Sequence, residues 1–145
     1  MSDLLAELDS ERERIRAAIA GRDEAELAAR PANGAWSVVE NLRHLLFAEQ
    51  AHLGRFAPQL PEFDALGLPP PGMMGNKRVG RAGTKQSQDA SEVFRAWDAA
   101  HGDLRGSLTT DDPRFETALS KHLKHLRLHA GIIERLLRAA AKSRR

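Results

Sequence analysis

The stretch Lys121-His122-Leu123-Lys124-His125-Leu126-Arg127-Leu128-His129 contains three of the six histidines in this 145-residue chain. At about 100° per residue, a helix places these histidines on one face together with a set of apolar residues, namely Leu119, Leu126, Ile133, Leu136 and Leu137. Charged residues occupy the opposite face. The pattern predicts an amphipathic helix with a buried histidine face, and a buried imidazole is costly unless its ring nitrogens find partners.

A metal ion is one partner that would satisfy such histidines. His125 and His129 are four residues apart, so their rings stack on neighbouring turns and reach one ion, at about 2.0–2.1 Å for zinc. A third ligand has to come from another helix. His44 is the best candidate because it lies off its helix's main apolar stripe, beside Ala48 and Ala51, whereas His52 is a poorer one. The alternative is that backbone carbonyls or water satisfy the histidines at a bundle boundary.

Helical periodicity recurs along the rest of the chain. It predicts helices over residues 3–20 and 37–56, a short turn of helix over 23–29, and a helix from Asp89 that ends before Asp111-Asp112-Pro113. The last helix begins between Asp112 and Thr117 and continues to about Ala140. No segment alternates as a strand. We therefore predict an all-α four-helix bundle forming a single domain, residues 1–145, with a long crossover loop (58–88) between the second and third long helices and a basic tail (141–145).

Composition narrows the class of function. The chain has no cysteine, which excludes disulfides, cysteine nucleophiles and thiolate metal sites, so a metal must be held by histidine and carboxylate. No apolar run is long enough to span a membrane and the start is unlike a signal peptide, which predicts a cytoplasmic protein that does not bind membranes. Basic residues dominate from Arg114 onward, but without a base-reading motif they favour a solvated face over nucleic-acid binding.

The segment 58–88 is rich in proline and lacks periodicity, which is typical of a functional or a disordered loop. Its basic residues Lys77, Arg78 and Arg81 are candidates for binding an anionic group of a small-molecule substrate. One interpretation is a lid over the site. The other is a mobile solvated loop.

Two motifs resemble the signatures of the DinB/YfiT superfamily. Trp36-Ser37-Val38-Val39-Glu40-Asn41-Leu42-Arg43-His44-Leu45 resembles its tryptophan-serine cap that leads to a metal-binding histidine, and His125-Leu126-Arg127-Leu128-His129-Ala130-Gly131-Ile132-Ile133 resembles its pair of histidines four apart. The resemblance implies a four-helix bundle, often dimeric, that binds zinc, nickel or a similar divalent ion. It implies His44, His125 and His129 as ligands and His122 as a residue that lines the site. Ile132 departs from the glutamine common there.

Characterised relatives in that superfamily include thiol S-transferases that use bacillithiol, mycothiol or glutathione, and a thiol-dependent maleylpyruvate isomerase; many others have no known activity. The resemblance therefore favours a metal-dependent thiol S-transferase whose nucleophile is a low-molecular-weight thiol, or a hydrolase that activates water at the same residues. The alternative is a non-catalytic metal-binding bundle with a stress-response or partner-binding role. Ala48 and Glu40 are expected to line the site. Glu40 is the candidate for a fourth ligand unless a capping box occupies it.

Overall fold

The computed structural model describes residues 2–59, 61–73 and 77–143, and these are helical with no strand. The helices are α1 (Ser2–Ile19), α2 (Glu24–Ala28), α3 (Val38–Leu53), α4 (Ala90–Ser107) and α5 (Phe115–Ser143). Three-residue 3₁₀ turns cover Gly54–Phe56, Pro71–Met73 and Lys77–Val79. The prediction of an all-α bundle is confirmed. Arg144 and Arg145 of the predicted basic tail lie outside the described residues.

The helix boundaries follow local signals in the sequence. Ser37 accepts a hydrogen bond from the Glu40 amide while the Glu40 side chain accepts one from the Ser37 amide, which completes the predicted capping box. Asp89 caps α4 in a similar way. The predicted end of α3 at Phe56 is three residues too late. The helix tightens into a 3₁₀ turn at Gly54, where a Cβ would lie 2.7 Å from Pro61.

Ion pairs between helices give their relative directions. Arg12 pairs with Asp98 at 2.6 Å and Asp9 with His101 at 3.1 Å, so α1 and α4 are antiparallel. The pairs Arg14–Glu134 and Glu11–Arg127 show that α1 and α5 run in the same direction. The histidine contacts described below make α3 antiparallel to α5. It follows that α3 and α4 are parallel, so the chain between them has to return along the bundle.

The core lies where α3 packs against α4 and α5 and where α1 packs against α5. The predicted apolar stripe of α3 is buried throughout, and it consists of Val38, Leu42, Leu45, Leu46, Leu53 and Phe56. Trp97 of α4 is fully buried in this core. Burial of these apolar faces is the main source of the bundle's stability, since each fully buried large apolar side chain contributes about 1.5–3 kcal/mol.

The described part of the segment between α3 and α4 is fastened to α3 through Arg43. This side chain is 2% exposed, and its guanidinium donates hydrogen bonds to the carbonyls of Leu66 (2.8 Å) and Lys85 (3.3 Å). In return, the Leu68 amide donates to the Arg43 carbonyl at 2.9 Å. Leu66 and Val79 are buried as well. These parts of the segment therefore pack on the bundle, which argues against a loop that is solvated along its whole length.

Arg43→Met should lower the free energy of unfolding by about 2–4 kcal/mol, because it leaves the buried Leu66 carbonyl without its donor and removes the hydrogen bond to the Lys85 carbonyl. The loss is measured by urea unfolding. Cleavage by chymotrypsin within residues 57–89 should accelerate as well, since the segment loses its attachment to α3. Arg95→Met removes an exposed arginine of α4 and should change stability by less than about 0.5 kcal/mol. Equal effects of the two substitutions would contradict the role given to Arg43.

Candidate metal centre

The contact between α3 and α5 brings together the three histidines predicted as metal ligands. His44 lies on α3, while His125 and His129 lie one turn apart on α5. Each offers one ring nitrogen to a group whose nitrogens all lie within 4.8 Å of one another. The Nε2 atoms of His44 and His125 are 3.3 Å apart. The group is one that could hold a metal ion.

Hydrogen bonds donated by Nδ1 fix the tautomers of two of these histidines. His44 Nδ1 lies 2.9 Å from the Leu68 carbonyl, which can only accept, so this nitrogen carries the proton. His129 Nδ1 lies 2.7 Å from Asn41 Oδ1. The Asn41 amide donates through Nδ2 to the Ser37 carbonyl at 2.9 Å, which sets its orientation and makes Oδ1 the acceptor. Both histidines therefore keep a lone pair on Nε2, the form in which an imidazole binds a metal.

The spacing of the nitrogens fits a tetrahedral ion. Two nitrogens at about 2.0–2.1 Å from zinc lie about 3.3–3.4 Å apart when they occupy two corners of a tetrahedron. The distance between the Nε2 atoms of His44 and His125 has this value. His125 Nδ1 is buried without a hydrogen-bond partner in the described part of the chain. In residues 2–59, 61–73 and 77–143 the group contains no carboxylate, so three neutral imidazoles would leave a coordination position open.

Burial keeps these imidazoles neutral. Burial, followed by the charges of His44, His52 and His122, lowers the pKa of His125 to about 4. Burial, followed by the charges of His125 and His44, also brings the pKa of His129 to about 4. The pKa of His44 is lowered by burial, although the Leu68 carbonyl opposes the shift. At neutral pH each ring therefore keeps one unprotonated nitrogen that can bind a metal ion.

The other residues predicted to line the site have varied surroundings. Ala48 is buried on α3 one turn after His44. The Glu40 carboxylate accepts hydrogen bonds from the Ser37 amide and from Arg30, and these hold its pKa below its usual range. The capping box thus occupies Glu40, the residue named above as the candidate for a fourth ligand. His122 is completely buried and contacts His52, with their Nδ1 atoms 3.0 Å apart.

The predicted substrate-binding residues lie on the segment after α3. Lys77 and Arg78 belong to a 3₁₀ turn, while Arg81 is exposed and lies 3.4 Å from Glu62. Arg78 lines a cavity of about 350 Å³, together with Phe47, Arg55, Phe63, Met73 and other residues. The ring of Phe47 stacks near that of His44, with 6.5 Å between their centroids. Phe47 thus lines the cavity and lies beside His44.

The structure adds residues that the sequence analysis missed or placed differently. His52, considered a poorer ligand candidate than His44, forms a second three-histidine group with His122 and His125. His101, which the sequence did not mark as a site residue, is buried between Glu49 (2.9 Å) and Asp9 (3.1 Å). Asn41 and Glu49 were not singled out. Both are polar residues at buried positions of α3, and a polar residue on the buried face of an apolar helix could have indicated them from the sequence.

Comparison with known proteins agrees with this architecture, an all-α bundle with a histidine group between two antiparallel helices. A sequence model of the DinB superfamily matches residues 7–133. The chain belongs to this superfamily. A search of curated proteins and a search of solved structures find no match. Among the described residues, no helix is both long and apolar enough to cross a membrane.

Asn41→Ala should weaken divalent-metal affinity about 10- to 100-fold, because His129 loses the acceptor that fixes its tautomer and ring orientation. Isothermal titration with zinc measures the change. Asn33→Ala is the matched control, since Asn33 serves an exposed turn by accepting a hydrogen bond from the Ala35 amide. Unchanged affinity in a folded Asn41 variant would show that His129 does not depend on this hydrogen bond.

The free energy of unfolding of the metal-free protein should fall as the pH is lowered from about 6.5 to about 4. Above this window the histidines are neutral in both states. Within it the unfolded chain binds protons that the folded chain excludes, so acid favours unfolding. Urea titrations across the pH range measure the slope, which should be shallower in His129→Gln because glutamine does not titrate. Parallel curves for the two proteins would contradict the assignment.

Proposed function

We propose that the chain is a metal-dependent thiol S-transferase with His44, His125 and His129 as ligands of one divalent ion. The observation that carries the proposal is the pair of Nδ1 hydrogen bonds, to the Leu68 carbonyl and to Asn41, which leave lone pairs on the Nε2 atoms of His44 and His129. Imidazole ligands suit zinc and nickel. The superfamily resemblance supports the thiol chemistry.

The absence of a carboxylate from the histidine group in the described residues supports catalysis over a purely structural site. Structural zinc sites are closed by four protein ligands, whereas catalytic sites keep a position for water or substrate. A divalent ion at such a position lowers the pKa of a coordinated thiol and so raises the thiolate fraction at neutral pH. The neutral histidines would hold the ion at its full positive charge.

The cavity beside Phe47 is the proposed substrate site. Its apolar lining, with Phe63 and Met73, suits the carbon skeleton of an electrophile, while Arg55 and Arg78 on its rim suit a carboxylate of the thiol. Arg55 was not anticipated from the sequence. Lys77 and Arg81, the other predicted substrate-binding residues, lie on the same segment and would add positive charge around the cavity.

At the electrophilic carbon, the transfer would form one bond to sulfur and break the bond to the leaving group. The thiol gives its proton to solvent or buffer, its sulfur attacks an electrophilic carbon, and the leaving group departs with the electron pair of the broken bond. The burial of His44 and His129 would shield the reacting sulfur from water. A hydrolase using the same residues would have water in place of the thiol, with the same balance of bonds.

The test measures transfer of glutathione, bacillithiol and mycothiol to 1-chloro-2,4-dinitrobenzene by zinc- or nickel-loaded protein. Acceleration by at least one thiol is expected, and His129→Gln should reduce it at least 100-fold because a ligand is lost. Lys124→Gln, on the exposed face of the same helix, is the control and should leave the rate unchanged. A second assay with ester substrates covers the hydrolase variant.

Bound metal without turnover of any thiol or ester would overturn the catalytic proposal and favour the non-catalytic alternative, a metal-binding bundle that acts through a partner. The homodimer implied by the superfamily belongs to this proposal as well. Sedimentation velocity of the metal-loaded protein tests it, with a single species of twice the 16.0 kDa chain mass as the expected result.

A further inference from the structure

A second group of imidazoles lies beside the first on the same pair of helices. His52, two turns after His44 on α3, faces His122 and His125 on α5. The ring nitrogens of this group lie within 4.8 Å of one another, and the Nδ1 atoms of His52 and His122 are 3.0 Å apart. The ring centroids of His52 and His125 are 5.6 Å apart. His44 and His52, two helical turns apart on α3, thus belong to two different three-histidine groups, and these groups share His125.

A buried carboxylate, that of Glu49, lies next to His122 of this second group. Glu49 is 1% exposed, and its Oε1 lies 3.7 Å from Nε2 of the fully buried His122. This distance is too long for a hydrogen bond, and neither atom has a hydrogen-bond partner in the described residues. The second oxygen of Glu49 is held by His101 Nδ1 at 2.9 Å. A carboxylate that orients one imidazole nitrogen while the other binds a metal is a recurring feature of metal sites.

The Glu49 carboxylate lies near Nε2 of His122 and so favours a proton on that nitrogen, which leaves Nδ1 for a metal ion. With the proton on Nε2, towards the carboxylate, Nδ1 keeps a lone pair directed at His52. A hydrogen bond from His52 to His122 would use this lone pair, but it would leave the buried Nδ1 of His125 without a partner. A cation shared by the three rings would use the Nδ1 atoms of His52 and His122 and one ring nitrogen of His125. His52 is partly exposed, which gives an ion a route from solvent.

We propose that His52, His122 and His125 form a second divalent-cation site, with Glu49 as the positioning residue of His122. The site takes ions that prefer imidazole nitrogen, such as zinc, nickel or cobalt. It goes beyond the proposed function, which requires only the site of His44, His125 and His129. His125 belongs to both groups, and a neutral imidazole has one unprotonated nitrogen, so the two sites lie next to each other and compete for this ring.

The test removes the first site and keeps the second. In His44→Gln/His129→Gln, glutamine retains side-chain volume and polarity while two of the first site's ligands are lost. This variant should bind one equivalent of cobalt(II), followed by visible absorption and by mass spectrometry after dialysis. Adding His52→Gln should weaken the binding at least tenfold. Equal binding by the double and triple variants, or no binding by either, would overturn the proposal.

A crystal structure of the His44→Gln/His129→Gln variant shows directly whether this variant is folded. Crystals of this variant grown with zinc should show an anomalous peak about 2.0–2.1 Å from the Nδ1 atom of His122. A folded variant without this peak would overturn the second site and leave the proposed function intact. The His52→Gln variant tests the first site by itself, because it should still bind metal and transfer the thiol.

Glu49→Gln tests the positioning role. In the His44→Gln/His129→Gln background it should weaken cobalt affinity about 10- to 100-fold, because the amide no longer polarises His122. In the His52→Gln background, where only the first site remains, the same substitution should leave affinity unchanged. A general structural defect would weaken both sites equally, and that result would refute the role of Glu49.

Discussion

The burial of imidazole rings between α3 and α5 is the constraint on which the rest of the structure depends. His44, His122 and His129 are each less than a tenth exposed, and His52 and His125 complete a continuous row of rings along this contact. Ring nitrogens buried in this way cost free energy unless each finds a partner. The Leu68 carbonyl and Asn41 supply partners for His44 and His129, whereas Nε2 of His122 and Nδ1 of His125 are buried without a hydrogen-bond partner in the described residues.

Several of those partners come from parts of the chain far from the histidines they serve. The Leu68 carbonyl that orients His44 belongs to the segment after α3, and Arg43, next to His44 in sequence, holds that segment in place. Adjacent residues of α3 therefore act together, one on the imidazole and one on the segment that supports it. This arrangement explains why a proline-rich stretch without periodicity is nevertheless packed on the bundle where it is described.

Charges extend from the histidine row to the opposite side of the bundle. Glu49 is buried, which disfavours its charged form, but the hydrogen bonds and charges of His101 and His122 hold its pKa at about 2. His101 contacts Asp9 of α1, whose other oxygen accepts a hydrogen bond from Arg105. A buried carboxylate left unpaired would be strongly destabilising. The chain of contacts thus ties α1 and α4 to the helices that carry the histidines.

The resemblance to the DinB superfamily implied that His44 would join His125 and His129. The sequence by itself determined the four long helices, the caps at Ser37 and Asp89 and the buried face of α5. These features depend on residues within one or two helical turns of each other, so periodicity and spacing contain them. Only the tertiary structure decided which atoms satisfy the imidazoles. Leu68, Glu49 and His52 act on rings that are 24, 73 and 70 residues away in the chain. Such contacts depend on the register between packed helices, and a helical pattern does not encode that register.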